Sequence, residues 1–141
     1  MKKETFIDVA AYALVILFVY ASINKLIAYD FFLSDLKRSP LLSPYALLLS
    51  VLVPCVELVL AGLLVFCKTR YTGFIGSAIL MGLFTFYVWY VLSFTKERPC
   101  SCGGIIRNLS WQNHLLFNTA FLLIAFTGIL FYNRNNKTNY A

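Results

Sequence analysis

The sequence predicts an all-α membrane protein, a four-transmembrane-helix bundle. Of its 141 residues, 60% are hydrophobic and 13% are charged, whereas soluble domains have about 45–50% apolar and about 25% charged residues. The apolar residues also form four long blocks, and a helix needs about 20 mostly apolar residues to cross the hydrocarbon. The chain therefore makes a single membrane domain, residues 1–141, with short connections.

The first two spans are predicted at about residues 6–28 and 44–66. The stretch between them is polar, so we expect a loop that Leu41 and Leu42 keep close to the membrane surface. Pro54 lies in the middle of the second span, where proline kinks a helix and frees a carbonyl for another partner.

The third and fourth spans are predicted at about residues 71–94 and 111–132. The connection between the second and third spans is very short, so these two helices should be antiparallel neighbours. Small residues spaced four apart in the third span, such as Gly73 and Ser77, favour close helix contact in lipid. Residues from Asn133 onward are polar, and we expect them to fray.

The net charge of +6 is explained best by lipid. The Lys and Arg residues lie between and beside the apolar blocks, where anionic headgroups attract them. No basic stripe with interleaved exposed aromatics is present in the sequence, so we expect no binding of nucleic acid.

The orientation is weakly specified, because the twelve Lys and Arg residues divide equally between the two sides of a four-span arrangement. Two considerations favour cytoplasmic termini. Lys25 can belong to the first helix rather than to the loop after it. A loop with paired cysteines, residues 95–110, also suits an oxidising compartment. We therefore expect a bacterial inner membrane protein whose 95–110 loop is periplasmic.

The N-terminus also resembles a secretory signal, with Lys2 and Lys3 before an apolar core and a cleavage-like site at Val19-Tyr20-Ala21. Cleavage would leave three spans and discard the polar residues at the end of the first helix. We favour the uncleaved first span.

The most specific feature is the loop sequence Cys100-Ser101-Cys102-Gly103-Gly104. A disulfide within the pair needs Cα atoms within about 6.8 Å, so the loop must turn, and the two glycines allow this. Such a tight ring should be strained, and strained, exposed disulfides are the labile and catalytic kind.

The charges around this pair favour its reactive form. Lys96, Arg98 and Arg107 flank the cysteines, with only Glu97 opposing them, and nearby cations favour thiolate over thiol. Redox chemistry is the leading hypothesis and needs no metal. Two alternatives stay open: soft-metal capture by the two thiolates and His114, or an inert structural disulfide.

Glu57 is a carboxylate near the middle of the second span, and ionisable residues inside a membrane are candidates for function. Lys25, at the end of the first span, is its expected partner. The pair either fixes the register of two helices or relays protons for thiol oxidation.

His114 is the only histidine. It lies one turn into the fourth span, with Asn118 four residues later on the same face. It is either a hydrogen-bonded interface residue, or a proton acceptor beside the thiols or a ligand for a quinone headgroup.

Aromatic residues crowd the last third of the third span, among them Phe86, Tyr87 and Trp89. They form either an interfacial belt with core filling or, together with Asn118, a wall for a flat ring such as a quinone. Away from this region, the remaining cysteines, Cys55 and Cys67, are expected to be small apolar packing residues.

Two stretches in the first two spans resemble short motifs that occur together in one family of small membrane proteins. Ser22-Ile23-Asn24-Lys25-Leu26 resembles a Ser-x-x-Lys helix end. Pro54-Cys55-Val56-Glu57, followed by Gly62, resembles a Pro-x-x-Glu second helix.

The pattern continues in the second half of the chain. Cys100-Ser101-Cys102 followed by Gly104 resembles a Cys-x-Cys-Phe-Gly loop, and Trp111 and Asn118 resemble the start of the fourth helix. With these landmarks the sequence resembles the MauE/DoxX family, in particular its MauE-like branch, over nearly the whole chain. Gly103 stands where the family pattern usually has Phe, which removes an aromatic that could pack the loop onto the bundle.

The resemblance implies disulfide chemistry outside the cytoplasm, together with a thioredoxin-like partner, and a possible coupling to quinone. Our leading hypothesis is a membrane thiol–disulfide oxidoreductase in which Cys100 and Cys102 react while Lys25, Glu57 and His114 move protons or hold charge. A soft-metal binding or transport protein is the second hypothesis, and a non-catalytic membrane partner subunit is the third.

Overall fold

The computed structural model describes residues 2–39, 41–94 and 111–139, with side chains for 112–133 of the last range. These residues form five α-helices: α1 (Lys3–Ile27), α2 (Tyr29–Arg38), α3 (Ala46–Val65), α4 (Arg70–Phe94) and α5 (Trp111–Asn139). A short 3₁₀ turn, Ser43–Tyr45, leads into α3, with Pro44 where a missing N–H costs nothing.

Within the described ranges, four helices are long and apolar enough to cross a membrane, which confirms the predicted fold class. They are Lys3–Ile27, Ser43–Val65, Arg70–Phe94 and Gln112–Asn133. The α5 helix continues to Asn139, beyond the predicted end of the fourth span at about residue 132.

The four long helices form a closed ring. Helix α1 packs on α3 and α5, and α4 packs on α3 and α5, while α1 and α4 touch only slightly across the centre. Consecutive helices are thus neighbours, as short connections require. The core between them contains Leu14, Phe18, Leu64, Phe74 and Met81.

The distribution of polar and apolar residues is inverted relative to a soluble protein. Large apolar side chains such as Ile16, Leu47 and Leu116 are each 69% exposed on the outside. Buried between the helices are polar and charged side chains: Ser22, Lys25, Ser50, Glu57, Arg70, Ser77, His114 and Asn118. A surface this apolar is stable only in lipid, so the chain is a multi-pass membrane protein.

The α2 helix corrects the sequence prediction of a loop after α1. Its apolar side chains Phe32 and Leu36 are four residues apart, share one face and pack on Ala46 at the start of α3. The charged residues that made this segment resemble a loop occupy the rest of the helix, as in an amphipathic helix at a membrane surface.

An ion pair joins three helices at the end of the bundle where α4 begins. Arg70 Nη1 donates to Asp8 Oδ1 of α1 at 2.6 Å, and Arg70 Nε donates to the Leu64 carbonyl near the end of α3 at 3.0 Å. Tyr132 near the end of the fourth span stacks on Tyr71 at the same end. The opposite end carries α2 and is the end from which residues 95–110 connect α4 to α5.

Two close contacts show why small residues lie along α4 and α5. A Cβ on Gly73 would lie 3.0 Å from the Leu64 backbone nitrogen, and a Cβ on Gly128 would lie 2.5 Å from the Phe74 ring. Both positions therefore let neighbouring helices approach closely, as small residues do in membrane bundles.

Candidate functional site

The centre of the candidate site is an ion pair between α1 and α3. Lys25 Nζ lies 2.8 Å from Glu57 Oε1, and the two side chains are 2% and 1% exposed. The pairing predicted from the sequence is therefore present, and Lys25 lies within α1, as expected. Because side chains tilt toward the N-terminus of their own helix, Lys25 and Glu57 on antiparallel helices point toward each other.

A second polar contact joins the same two helices one turn away. Ser22 Oγ donates to the Pro54 carbonyl at 3.1 Å. The sequence predicted that Pro54 frees a carbonyl, which would be that of Ser50, four residues earlier. The bonded carbonyl is instead that of Pro54 itself. Ser22 thus supports the α1–α3 register next to the ion pair.

Aromatic rings surround the Lys25 ammonium. It lies 5.8 Å from the Phe32 ring centroid on α2 and 6.0 Å from the Phe84 ring centroid on α4. Each ring attracts a cation through its negative face. These contacts connect α2 and α4 to the ion pair.

The polar residues of α5 lie on the other side of the pair. His114 is buried, and Asn118 is buried one turn further along. A small cavity of about 20 Å³ is lined by Glu57, Asn118 and Phe84, among others. The structure therefore gathers Lys25, Glu57, His114 and Asn118 into the bundle interior.

Two atoms of this cluster have no hydrogen-bond partner among the described residues: Glu57 Oε2 and Asn118 Nδ2. Buried polar groups in native structures are almost always hydrogen-bonded, through protein or ordered water. The small cavity has the volume of about one water molecule. It can therefore hold a water between the Glu57 carboxylate and α5.

The four residues predicted to form a wall for a quinone ring lie in three different places. Phe86 and Tyr87 line a larger cavity between α2, α3 and α4, which Lys25 also lines. Trp89 packs against Phe86 and Phe94 on the outside of the bundle, and Asn118 lines the small cavity instead. Phe86 and Tyr87 thus share the larger cavity with Lys25, whereas Trp89 and Asn118 do not line it.

Two of the four cysteines lie in the part of the chain that the structure describes. Cys100 and Cys102 lie outside the described residues, as does the whole 95–110 loop. Cys55 and Cys67 are free and exposed, so the prediction that they are packing residues is wrong. Cys55 faces outward because it follows buried Pro54 on α3, and Cys67 lies in the turn before α4.

Three polar contacts of the structure were not predicted from the sequence. Tyr29 and Ser50 are hydrogen-bonded at 2.9 Å. The hydroxyl of Ser39, directly after α2, is hydrogen-bonded to the hydroxyl of Tyr87 on α4. The third is the bond between Asp8 and Arg70 at the far end. Both of those ionisable residues lie within or beside an apolar block, so the rule that singled out Glu57 could have found them. No comparable signal marked the hydroxyls.

These features define a small multi-pass membrane protein with a buried ion pair and a polar cluster at one end of a four-helix bundle. Residues 3–131 match the family model described as "Methylamine utilisation protein MauE". The chain belongs to the MauE family, as the sequence motifs predicted; the wider relationship to DoxX stays a resemblance. No curated protein and no solved structure matches the chain.

Proposed function

We propose that this chain is a membrane thiol–disulfide oxidoreductase. It exchanges electrons between a periplasmic thioredoxin-like or other cysteine-containing protein and the membrane quinone through Cys100 and Cys102. The observation that carries the proposal is the Lys25–Glu57 ion pair, 2.8 Å long and buried in the bundle. It lies toward the end from which the Cys-Ser-Cys loop connects α4 to α5.

Disulfide exchange with the partner protein needs no reactant other than the two partner thiols and the Cys100–Cys102 disulfide. A thiolate of the partner attacks the Cys100–Cys102 disulfide, which forms a mixed disulfide and frees one cysteine of the chain as a thiolate. The second partner thiolate then breaks the mixed disulfide, so the partner leaves oxidised and Cys100 and Cys102 are reduced. Reoxidation of the pair gives two electrons and two protons to a quinone, which becomes quinol. The opposite direction of flow uses the same steps in reverse.

Buried charges suit this chemistry because electrons cross the apolar bundle together with protons. Glu57 can hold a proton when Lys25 turns toward another acceptor, and His114 and Asn118 extend the polar cluster to α5. An ion pair in such a place is expensive to bury. A role in holding or transferring charge during the redox cycle explains why the bundle contains this pair despite the free-energy cost of burying it.

The family supports the same setting. The matched family is described as a methylamine utilisation protein, which supports a role in a redox system of that kind. We place the chain in the bacterial inner membrane, with both termini in the cytoplasm and residues 95–110 in the periplasm, because paired cysteines function in an oxidising compartment.

The proposal is tested by trapping partners from intact cells. One of the variants Cys100→Ser and Cys102→Ser should accumulate a mixed disulfide with a cysteine-containing protein, because the cysteine that resolves it is missing. The double variant should trap nothing. Cys55→Ser and Cys67→Ser are matched controls and should behave like the parent protein.

Three outcomes would contradict the proposal. A phenotype that survives in the double serine variant would favour a non-catalytic membrane subunit. Metal bound to reduced cysteines and lost on His114→Ala would favour the soft-metal hypothesis. An intact disulfide that never exchanges would mark the pair as structural.

A further inference from the structure

A cavity of about 600 Å³ lies between α2, α3 and α4. This volume is within the range of about 300–1,000 Å³ that ligand sites usually have. Lys25 and Phe32 line it on one side, Val53 of α3 on another, and Phe84 and Tyr87 of α4 on a third. The cavity reaches Lys25 of the Lys25–Glu57 pair, and Phe32 and Leu36 of α2 form part of its wall.

The cavity is accessible from lipid. Its wall includes Leu52 of α3 and Ile79 and Leu83 of α4. The side chains of these three residues are also exposed on the surface of the bundle. Nearly all of the lining atoms are apolar. A ligand can therefore enter sideways from the bilayer, and most of it must be hydrocarbon.

One part of the wall differs from the rest. Among the residues that the structure describes, Lys25 is the one charged residue that lines the cavity. Its ammonium lies about 6 Å from the centres of the Phe32 and Phe84 rings, which also line the cavity. A flat ring can lie against these two aromatic side chains, and a carbonyl oxygen on that ring can accept a hydrogen bond from an ammonium.

The charge of the ligand's head is also constrained. Lys25 is already paired with Glu57, so a carboxylate head would place a second anion beside a buried carboxylate. Two negative charges next to each other repel strongly in an apolar interior, where the effective dielectric constant is low. A neutral head with carbonyl acceptors avoids this cost.

We propose that this cavity binds an isoprenoid quinone, with its ring beside Lys25 between Phe32 and Phe84 and its tail toward the lipid along α3 and α4. The assignment rests on the proposed function, because quinone is the acceptor of the two electrons and two protons released by the dithiol. It relocates the site that the sequence predicted: Phe86 and Tyr87 belong to it, whereas Trp89 and Asn118 do not.

The test measures binding rather than turnover. The probe is decylubiquinone, titrated by calorimetry into purified full-length protein that carries Cys100→Ser and Cys102→Ser. In this background, Val53→Phe should weaken binding about tenfold or more, a loss of about 1.4 kcal/mol or greater, because the ring of phenylalanine fills the cavity. Val51→Phe is the matched control; Val51 is exposed on α3 and does not line the cavity, so its affinity should stay within about twofold of the parent.

Equal affinities in the Val53 and Val51 variants would overturn the assignment. So would a decyl chain without the quinone ring that binds as tightly as decylubiquinone, since the cavity would then be a site for an acyl chain. If Val53→Phe does not fold, the pair Ile79→Trp and Ile75→Trp makes the same comparison on α4. Ile79 lines the cavity and Ile75 does not.

The two proposals can fail separately. The double serine background removes the thiols, so quinone binding there does not depend on disulfide exchange. Loss of partner trapping with intact quinone binding would contradict the thiol chemistry alone. Normal trapping without quinone binding would contradict the cavity assignment and the quinone as electron acceptor, and would leave the thiol exchange standing.

Discussion

Lys25 Nζ and Glu57 Oε1 are 2.8 Å apart in the interior of a bundle whose outer surface is apolar. Breaking a buried ion pair by removing one partner costs about 3–5 kcal/mol, whereas replacing both partners by apolar residues is often neutral. We therefore expect Lys25→Met and Glu57→Leu each to destabilise the protein by several kcal/mol, and the double variant to recover most of that loss.

The free energies of unfolding of the four proteins in lipid bicelles measure this coupling. The redox state of Cys100 and Cys102 in the same variants separates stability from function, because the stable double variant should still fail to reoxidise the pair. Additive losses in the two single variants would show that the side chains do not act as a pair.

Ser22 provides a smaller test of the α1–α3 contact. Ser22→Ala removes the bond to the Pro54 carbonyl, and hydrogen bonds between membrane helices contribute on average about 0.6 kcal/mol. We expect a loss of about that size in the free energy of unfolding. Thr119→Ala is the control, because the Thr119 hydroxyl bonds to Leu115 within its own helix. An equal loss in both variants would contradict a specific role for the Ser22 bond.

Two glycines should respond oppositely to alanine. At Gly128 the added Cβ would lie 2.5 Å from the buried Phe74 ring, and overpacking typically costs about 1–3 kcal/mol. At Gly62 nothing lies within 4 Å of the added Cβ, so alanine should be neutral or stabilise α3 by up to about 1 kcal/mol. Thermal unfolding of Gly128→Ala and Gly62→Ala checks this. A stabilised Gly128→Ala would show that α4 and α5 are further apart than the structure places them.

Cys67 tests the orientation of the bundle. It is exposed in the turn between α3 and α4, at the end opposite the one from which the 95–110 loop leaves. In a variant that retains only Cys67, a membrane-impermeant maleimide should label the thiol after cells are opened and not before. Labelling of intact cells would place the α3–α4 turn in the periplasm and reverse the proposed topology.

The sequence predicted the four spans well because each is a long apolar block, and hydrocarbon admits few alternatives to a helix. It also predicted the Lys25–Glu57 pair, since an intramembrane carboxylate needs a cation within reach. The α2 helix was missed because its charges resembled those of a loop, while its buried face is only Phe32 and Leu36.

Other parts of the site could not be derived from spacing alone. Whether Cys55 faces lipid or the core depends on how α3 is rotated, and in a helix that is apolar on all sides the sequence pattern does not specify that rotation. The larger cavity depends on three helices at once, so neither the exclusion of Trp89 nor the inclusion of Val53 could be predicted. The small residues of α4 indicated close packing without identifying Leu64 as the partner of Gly73.

The most direct test of the central claim is the redox state of Cys100 and Cys102 in intact cells. In a background with Cys55→Ser and Cys67→Ser, only this pair can react with a membrane-impermeant maleimide. We expect labelling from outside that increases after mild reduction and disappears in the double serine variant. Labelling only after the cells are opened, or labelling that reduction does not change, would contradict a periplasmic redox-active pair.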